Sequence, residues 1–182
     1  MKKSITILAM VITAFSFSQE VKKEIEKQET KIEKFTSQTG VITKFTDFNL
    51  SDLKSSYTVA KTRIRKLNSG DHVGYFYQIQ KPGKYGESTA SIEYSDLLEL
   101  IKAFNSLKTE VDKDVSLNPD YLENKFITTD GFQLGYFVNK GKATWYMRLE
   151  KYGSDKTLYI KDLEKIDANF NEAKNKIEEL QK

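Results

Sequence analysis

Lys84-Tyr85-Gly86, a strand, then Asp96-Leu97 opening a helix that carries Phe104: the same order returns at Lys151-Tyr152-Gly153, Asp162-Leu163 and Phe170. The repeat distance is 67 residues at the tyrosines and 66 at the aspartates, and Ser88/Ser154, Asn105/Asn171 and Lys108/Lys174 keep the second register. A period this long, present twice, implies two copies of one supersecondary unit sharing a core, not an open solenoid.

Working outward, each copy reads as four strands and a helix. In the first, residues 41–48 form a strand and 49–56 a polar connection. Residues 57–67 place Ala60, Thr62 and Ile64 on one face and Lys61, Arg63 and Arg65 on the other. Asn68-Ser69-Gly70-Asp71 is a turn by composition. Residues 73–80 alternate Val73, Tyr75, Tyr77 and Ile79 against Gly74, Phe76, Gln78 and Gln80, and 89–94 form the fourth strand. Ser95 or Asp96 caps a helix with the stripe Leu97, Leu100, Ile101, Phe104, Leu107 and Val111.

The second unit runs from 121–129 through Asp130-Gly131, a hairpin pair suited to positive φ at both positions, into 132–139. Asn139-Lys140-Gly141-Lys142 matches the earlier turn. Residues 143–150 alternate Ala143, Trp145, Met147 and Leu149 against Thr144, Tyr146, Arg148 and Glu150, and a short strand at 156–160 precedes the helix capped by Asp162. The expected class is α+β: a pseudo-duplicated ββββα unit with antiparallel strands, one buried and one wet face, and both helices on the face of Tyr75, Tyr77, Trp145 and Met147. Alternation leaves open whether the strands join in one sheet.

Residues 1–18 read as a signal peptide. Lys2 and Lys3 precede an apolar run from Ile5 to Phe17, and Ser16 and Ser18 stand where a signal peptidase reads small residues, so cleavage is expected before Gln19. Thirteen apolar residues fall short of the roughly 20 a membrane span requires, and no transmembrane segment is expected in the mature chain. Residues 19–40 read as an N-terminal helix, with a thin seam at Ile25, Gln28, Ile32 and Phe35, followed by a connection. Residues 41–182 form one domain of two repeats, 41–114 and 115–182. Removing Lys2 and Lys3 lowers the net charge from +3 to +1, so no electrostatic case for nucleic acid or anionic membranes remains. The chain has no cysteine, which removes lipoprotein acylation, disulfides and thiolate metal sites.

The capped Asp-Leu helices, Thr129-Asp130-Gly131-Phe132, Gly135-Tyr136-Phe137, Trp145 and the Tyr152 turn together resemble a family of small exported bacterial proteins. The likeness covers most of the mature chain. Its motifs are turns, core aromatics and caps, so it implies a fold and an exported setting and brings no catalytic residues. Ile92-Glu93-Tyr94-Ser95, before the first helix, departs from the more acidic entry expected there.

Chemistry-bearing residues are sparse. His72, the single histidine, lies beside Asp71 at a turn, and one imidazole without cysteine or a second histidine makes no usual zinc site. The glycines are scattered singly, with no phosphate-cradling loop. No cofactor and no metal is expected. The outward face of the strands is the stronger candidate, carrying Lys61, Arg63, Arg65, Phe76, Gln78, Phe137, Tyr146 and Arg148. Aromatic and guanidinium groups on a flat wet face suit stacking on sugars or contact with a protein. Tyr85 and Tyr152 form a second candidate, a pair of recognition loops. The expected role is an exported, periplasmic or extracellular, non-catalytic module binding a protein or glycan of the cell envelope. The alternative is a hydrolase using surface carboxylates.

Overall fold

A computed structural model describes residues 29–84, 86–151 and 156–182, and the signal-peptide reading and residues 20–28 of the expected first helix lie outside them. The chain order is α1 (Lys31–Thr36), β1 (Thr43–Asn49), β2 (Leu53–Lys54), β3 (Val59–Ser69), β4 (His72–Gly83), β5 (Gly86–Glu93), α2 (Tyr94–Ser116), β6 (Leu122–Ile127), β7 (Gln133–Asn139), β8 (Lys142–Arg148), β9 (Thr157–Ile160) and α3 (Leu163–Leu180). The class is α+β, with every strand pair antiparallel.

Two sheets form, ordered β1-β3-β4-β5 and β6-β7-β8-β9. β2 pairs with the start of β3, where the sequence suggested only a polar connection: Leu53 stands opposite Ala60 and is buried with it. The duplication is visible in the register. The β3–β4 turn follows Ser69 paired to His72, and the β7–β8 turn follows Asn139 paired to Lys142, a spacing of 70 residues. Across the next ladder Tyr77 pairs with Ile92 and Met147 with Leu158, so the spacing falls to 66. The β4–β5 hairpin is thus four residues longer than its counterpart. The whole excursion between β1 and β3, including β2, is replaced in the second unit by the tight Thr128–Phe132 connection.

The turns obey local chemistry. Lys140 and Gly141 both take positive φ (51° and 70°), the two-residue turn whose twist matches the flanking strands. At Asp130-Gly131 only Gly131 does so (88°), and Thr128 N–H bonds to Phe132 O at 2.9 Å around a longer loop than the dipeptide suggested. The cap of α2 is Glu93, whose carboxylate accepts from Ser95 N–H, in place of the expected Ser95 or Asp96. Asp162 caps α3 as expected, accepting from Lys165 N–H. α1 is short and held by a reciprocal capping box between Thr30 and Glu33.

The helices cover the expected face, and they do so crosswise. α2, leaving the first sheet, packs on β6, β7 and β8 as well as on β4 and β5, while α3, leaving the second, packs on β2 and β3. One connected core results. Its spine is a run of rings, Tyr77–Phe170–Phe104–Trp145–Tyr136, with successive centroids 6.0, 5.8, 5.8 and 4.8 Å apart, passing from the first sheet through α3 and α2 to the second. The first three contacts are edge-on and the last is tilted, and such pairs add to burial by about 0.5–1.5 kcal/mol each. A buried polar knot sits beside the spine. Tyr77 donates its hydroxyl proton to Asn169 Oδ1, and Asn169 Nδ2 donates to Ser51 O (2.7 Å) and Thr62 Oγ1 (3.3 Å).

Candidate functional site

Alternation sends Lys61, Arg63, Arg65, Phe76 and Gln78 to the side of the first sheet away from α2 and α3, and Phe137, Tyr146 and Arg148 to the corresponding side of the second. The eight residues therefore belong to two separate sheets, and their surroundings differ.

On the first sheet much of the candidate surface is occupied by the protein itself. α1 lies across it, and the Phe35 ring meets Phe76 edge-on at 6.2 Å, leaving Phe76 1% exposed. The approach depends on Gly74: a β-carbon there would stand 2.8 Å from the Phe35 ring. Phe76 is therefore a core residue of this layer, a correction to its reading as a wet-face aromatic. Gln78 is also buried, accepting from Arg63 Nε (2.8 Å) and donating to Ser91 Oγ (2.8 Å). Arg65 holds Asp47 through two hydrogen bonds of 2.7 and 2.6 Å, and Arg63 Nε lies 3.5 Å from the same carboxylate. The Arg65 bonds keep the Asp47 carboxyl below the usual range. Lys61 is exposed and paired to Asp52 at 2.6 Å. These cations are tied to acids of their own sheet.

The second sheet presents a different surface. Tyr121, just before β6, stacks on Phe137 of β7 with centroids 6.3 Å apart and planes 21° from parallel. Phe137 lies 6.4 Å from Tyr146 of β8, and Tyr146 pairs in register with Tyr159 of β9. Four aromatic side chains thus cross the sheet strand by strand on the face opposite the one α2 covers. Tyr121 is 61% and Tyr159 40% exposed, while Tyr146, between them, is 4% exposed. Tyr146 is thus the floor of the row and not a protruding anchor.

Hydrogen bonding locks that floor. Tyr146 donates to Glu123 Oε1 at 2.6 Å, and Lys125 Nζ bonds Glu123 Oε2 at 2.8 Å. Burial and the neighbouring carboxylate push the Tyr146 phenol well above its ordinary range, while the Lys125 and Tyr146 bonds lower Glu123. Gly135 leaves the sheet flat beside the row: a β-carbon there would stand 2.6 Å from Lys125 Cβ and collide with Asn124 O. Arg148 is exposed at one end, opposite Gln133 in the register. The Gln133 Oε1 atom is buried without a hydrogen-bond partner, an acceptor that few folded proteins leave unused.

Chain alternation could have found Tyr121 and Tyr159, since both share parity with their ladder neighbours Phe137 and Tyr146. What hid them was position: one precedes its strand and the other sits in a four-residue edge strand. Tyr85 and Tyr152, the paired-loop candidates, lie outside the described residues. His72 is exposed at the β3–β4 turn. No group of three or more potential ligands that could hold a metal occurs among the described residues, and no described helix is long and apolar enough to cross a membrane.

The carboxylates sit mostly in structural roles. Asp114 accepts from Tyr136 (2.7 Å), and Asn124 Nδ2 donates to Glu110 (2.8 Å). Lys31 Nζ bonds Asp96 (2.7 Å) while its backbone N–H bonds Asp130 (2.9 Å), fastening α1 to the start of α2 and to the β6–β7 turn. The outward side of the second sheet thus carries a row of rings with the exposed Arg148 guanidinium at one end. No protein-family model, curated protein or solved structure matches the chain.

Proposed function

We propose that the protein is an exported, non-catalytic binding module that engages a protein or glycan of the cell envelope through the open face of its second sheet. The observation that carries this reading is the row Tyr121–Phe137–Tyr146–Tyr159 on the side away from α2. Rigid aromatic side chains lose little entropy on binding, and surfaces of this composition supply the anchors of most recognition interfaces. Arg148, exposed at one end of the row, orients what the rings hold. The export half of the proposal rests on residues 1–18 alone.

The test is retention of envelope proteins and glycans on the immobilised protein, compared with a Tyr121→Ala/Arg148→Gln variant. Both side chains are exposed, so folding should change by no more than about 0.5 kcal/mol per site. Loss of the retained species with an unchanged unfolding curve supports the proposal. An identical retained set in both proteins refutes it.

A further inference from the structure

Four strands end the two sheets: β1 and β5 in the first, β6 and β9 in the second. Two of these edges are in use within the fold. Ser56 N–H bonds Tyr159 O of β9 at 2.9 Å, and Thr89 N–H of β5 bonds Glu150 Oε1 at 3.2 Å. β1 and β6, the first strands of their sheets, have no strand beyond them among the described residues. An unpaired edge is a template for another strand, and folded proteins guard it with charge or short length.

Which groups β6 offers follows from its pairing with β7. Thr128 N–H bonds Phe132 O at 2.9 Å, one step beyond the Ile127–Gln133 pair. Bonded and non-bonded pairs alternate in an antiparallel ladder, so Leu122, Asn124 and Phe126 bond to β7. Glu123, Lys125 and Ile127 therefore aim their backbone N–H and C=O groups at the free edge. A second β6, antiparallel about a two-fold axis, has to match these residues with one another. The registers of greatest overlap centre on Glu123, Asn124 or Lys125. The first and last set like charges directly opposite, which is destabilising. Centring on Asn124 sets Glu123 opposite Lys125 of the second copy and Tyr121 opposite Ile127, each twice.

That register gives two large side chains a neighbour, since Tyr121 is 61% and Ile127 50% exposed. Glu123 and Lys125 already bond each other at 2.8 Å, and the axis sets two such pairs head to tail with their signs alternating. The charges on β6 thus repel a copy in the neighbouring registers and admit it in one. β1 has no equivalent. Leu50 N–H bonds Thr62 O, so Thr43, Phe45, Asp47 and Asn49 face its free edge, and their single charge is held by Arg65.

We infer that the protein forms a two-fold dimer through β6, joining the two second sheets into one antiparallel sheet of eight strands with both aromatic rows on the same side. The interface is isologous, and an edge seam of this length is small, so assembly is reversible. The inference does not depend on the binding role.

Sedimentation velocity of the purified protein over a concentration series tests it. A monomer at the dilute end should give way to a dimer at the concentrated end. Lys125→Glu sets acids opposite each other and should weaken the dimer about tenfold or more. Glu123→Lys should weaken it likewise, and a mixture of the two variants should recover a mixed dimer, because opposite charges again face across the seam. If Glu123→Lys fails to fold for want of the Tyr146 bond, Lys125→Glu alone decides. A monomer at every concentration overturns the inference, as does a dimer that Lys125→Glu leaves within twofold of its original affinity. Tyr121 belongs to both the seam and the open face. Retention that depends on Tyr121 and Arg148 in a protein that stays monomeric removes the dimer and leaves the binding proposal standing.

Discussion

Asn169→Ala should loosen the joint between α3 and the first sheet, and the structure sets how much. Asn169 is 3% exposed and Tyr77 fully buried. Removing the amide deletes the hydrogen bonds to Ser51 O and Thr62 Oγ1 and strands the Tyr77 hydroxyl. Ser51 O keeps its 2.7 Å bond from Thr62 Oγ1 and is not orphaned. The lost bonds contribute about 1 kcal/mol each and the orphaned hydroxyl about 1–3 kcal/mol. Alanine's better helix propensity returns about 0.6 kcal/mol. The expected net loss is about 2–4 kcal/mol, a large part of a typical domain's stability. In a Tyr77→Phe background no hydroxyl is left to strand, so Asn169→Ala should cost only about 1–2 kcal/mol, giving a coupling of about 1–2 kcal/mol. Urea unfolding followed by fluorescence of Trp145, the single tryptophan, reads all four proteins, and the m-value should stay constant. Additivity of the two substitutions within about 0.3 kcal/mol would refute the reasoning.

Two further outcomes follow from the same core. Trp145→Ala should destabilise by about 3–5 kcal/mol, since the ring is buried between Phe104 and Tyr136; a loss under 1 kcal/mol in denaturant unfolding by circular dichroism would invert the assignment of sheet faces. Tyr136 is pushed up to about 12 by burial and by its bond to Asp114. A phenol whose folded value lies above its unfolded value of 10.0 stabilises fully below pH 10 and loses that contribution as pH rises towards 12. Tyr136→Phe should therefore be less stable at neutral pH, by about 1–2 kcal/mol, yet lose less stability between those limits in a pH series of urea melts.

The alternating faces, the turns and both long helices were legible because each is decided by neighbours in the chain. Ala60, Thr62 and Ile64 against Lys61, Arg63 and Arg65 is a period-two pattern that only one pairing with β4 can bury. What escaped depends on distant partners. Leu53 becomes a strand residue only because Ala60 is opposite, and two residues carry no periodicity. The split into two sheets and the crossing of α2 and α3 over each other's sheet are packing choices that no single stripe encodes: Phe104 and Phe170 would suit either sheet. The candidate site was legible by half. Phe137, Tyr146 and Arg148 share a face as expected. Phe76 was misplaced because its cover is a six-residue helix forty positions away.

The duplication also explains why one face closes and the other stays open. At the 70-residue spacing Phe76 corresponds to Tyr146 and Gly74 to Thr144. In the first sheet the missing β-carbon at Gly74 lets Phe35 descend onto Phe76, and Lys31 fastens the helix that carries it to Asp96 and Asp130. In the second, Thr144 fills the position that Gly74 leaves empty. Tyr146 carries a hydroxyl that burial under an apolar ring would leave unpaired, at a cost of about 1–3 kcal/mol. That hydroxyl instead bonds Glu123, whose other oxygen accepts from Lys125. One substitution pair therefore turns a helix seat into a polar-edged aromatic floor. The first unit spends its outward face on stability. Among the described residues, the second sheet's outward row of rings has no helix laid across it.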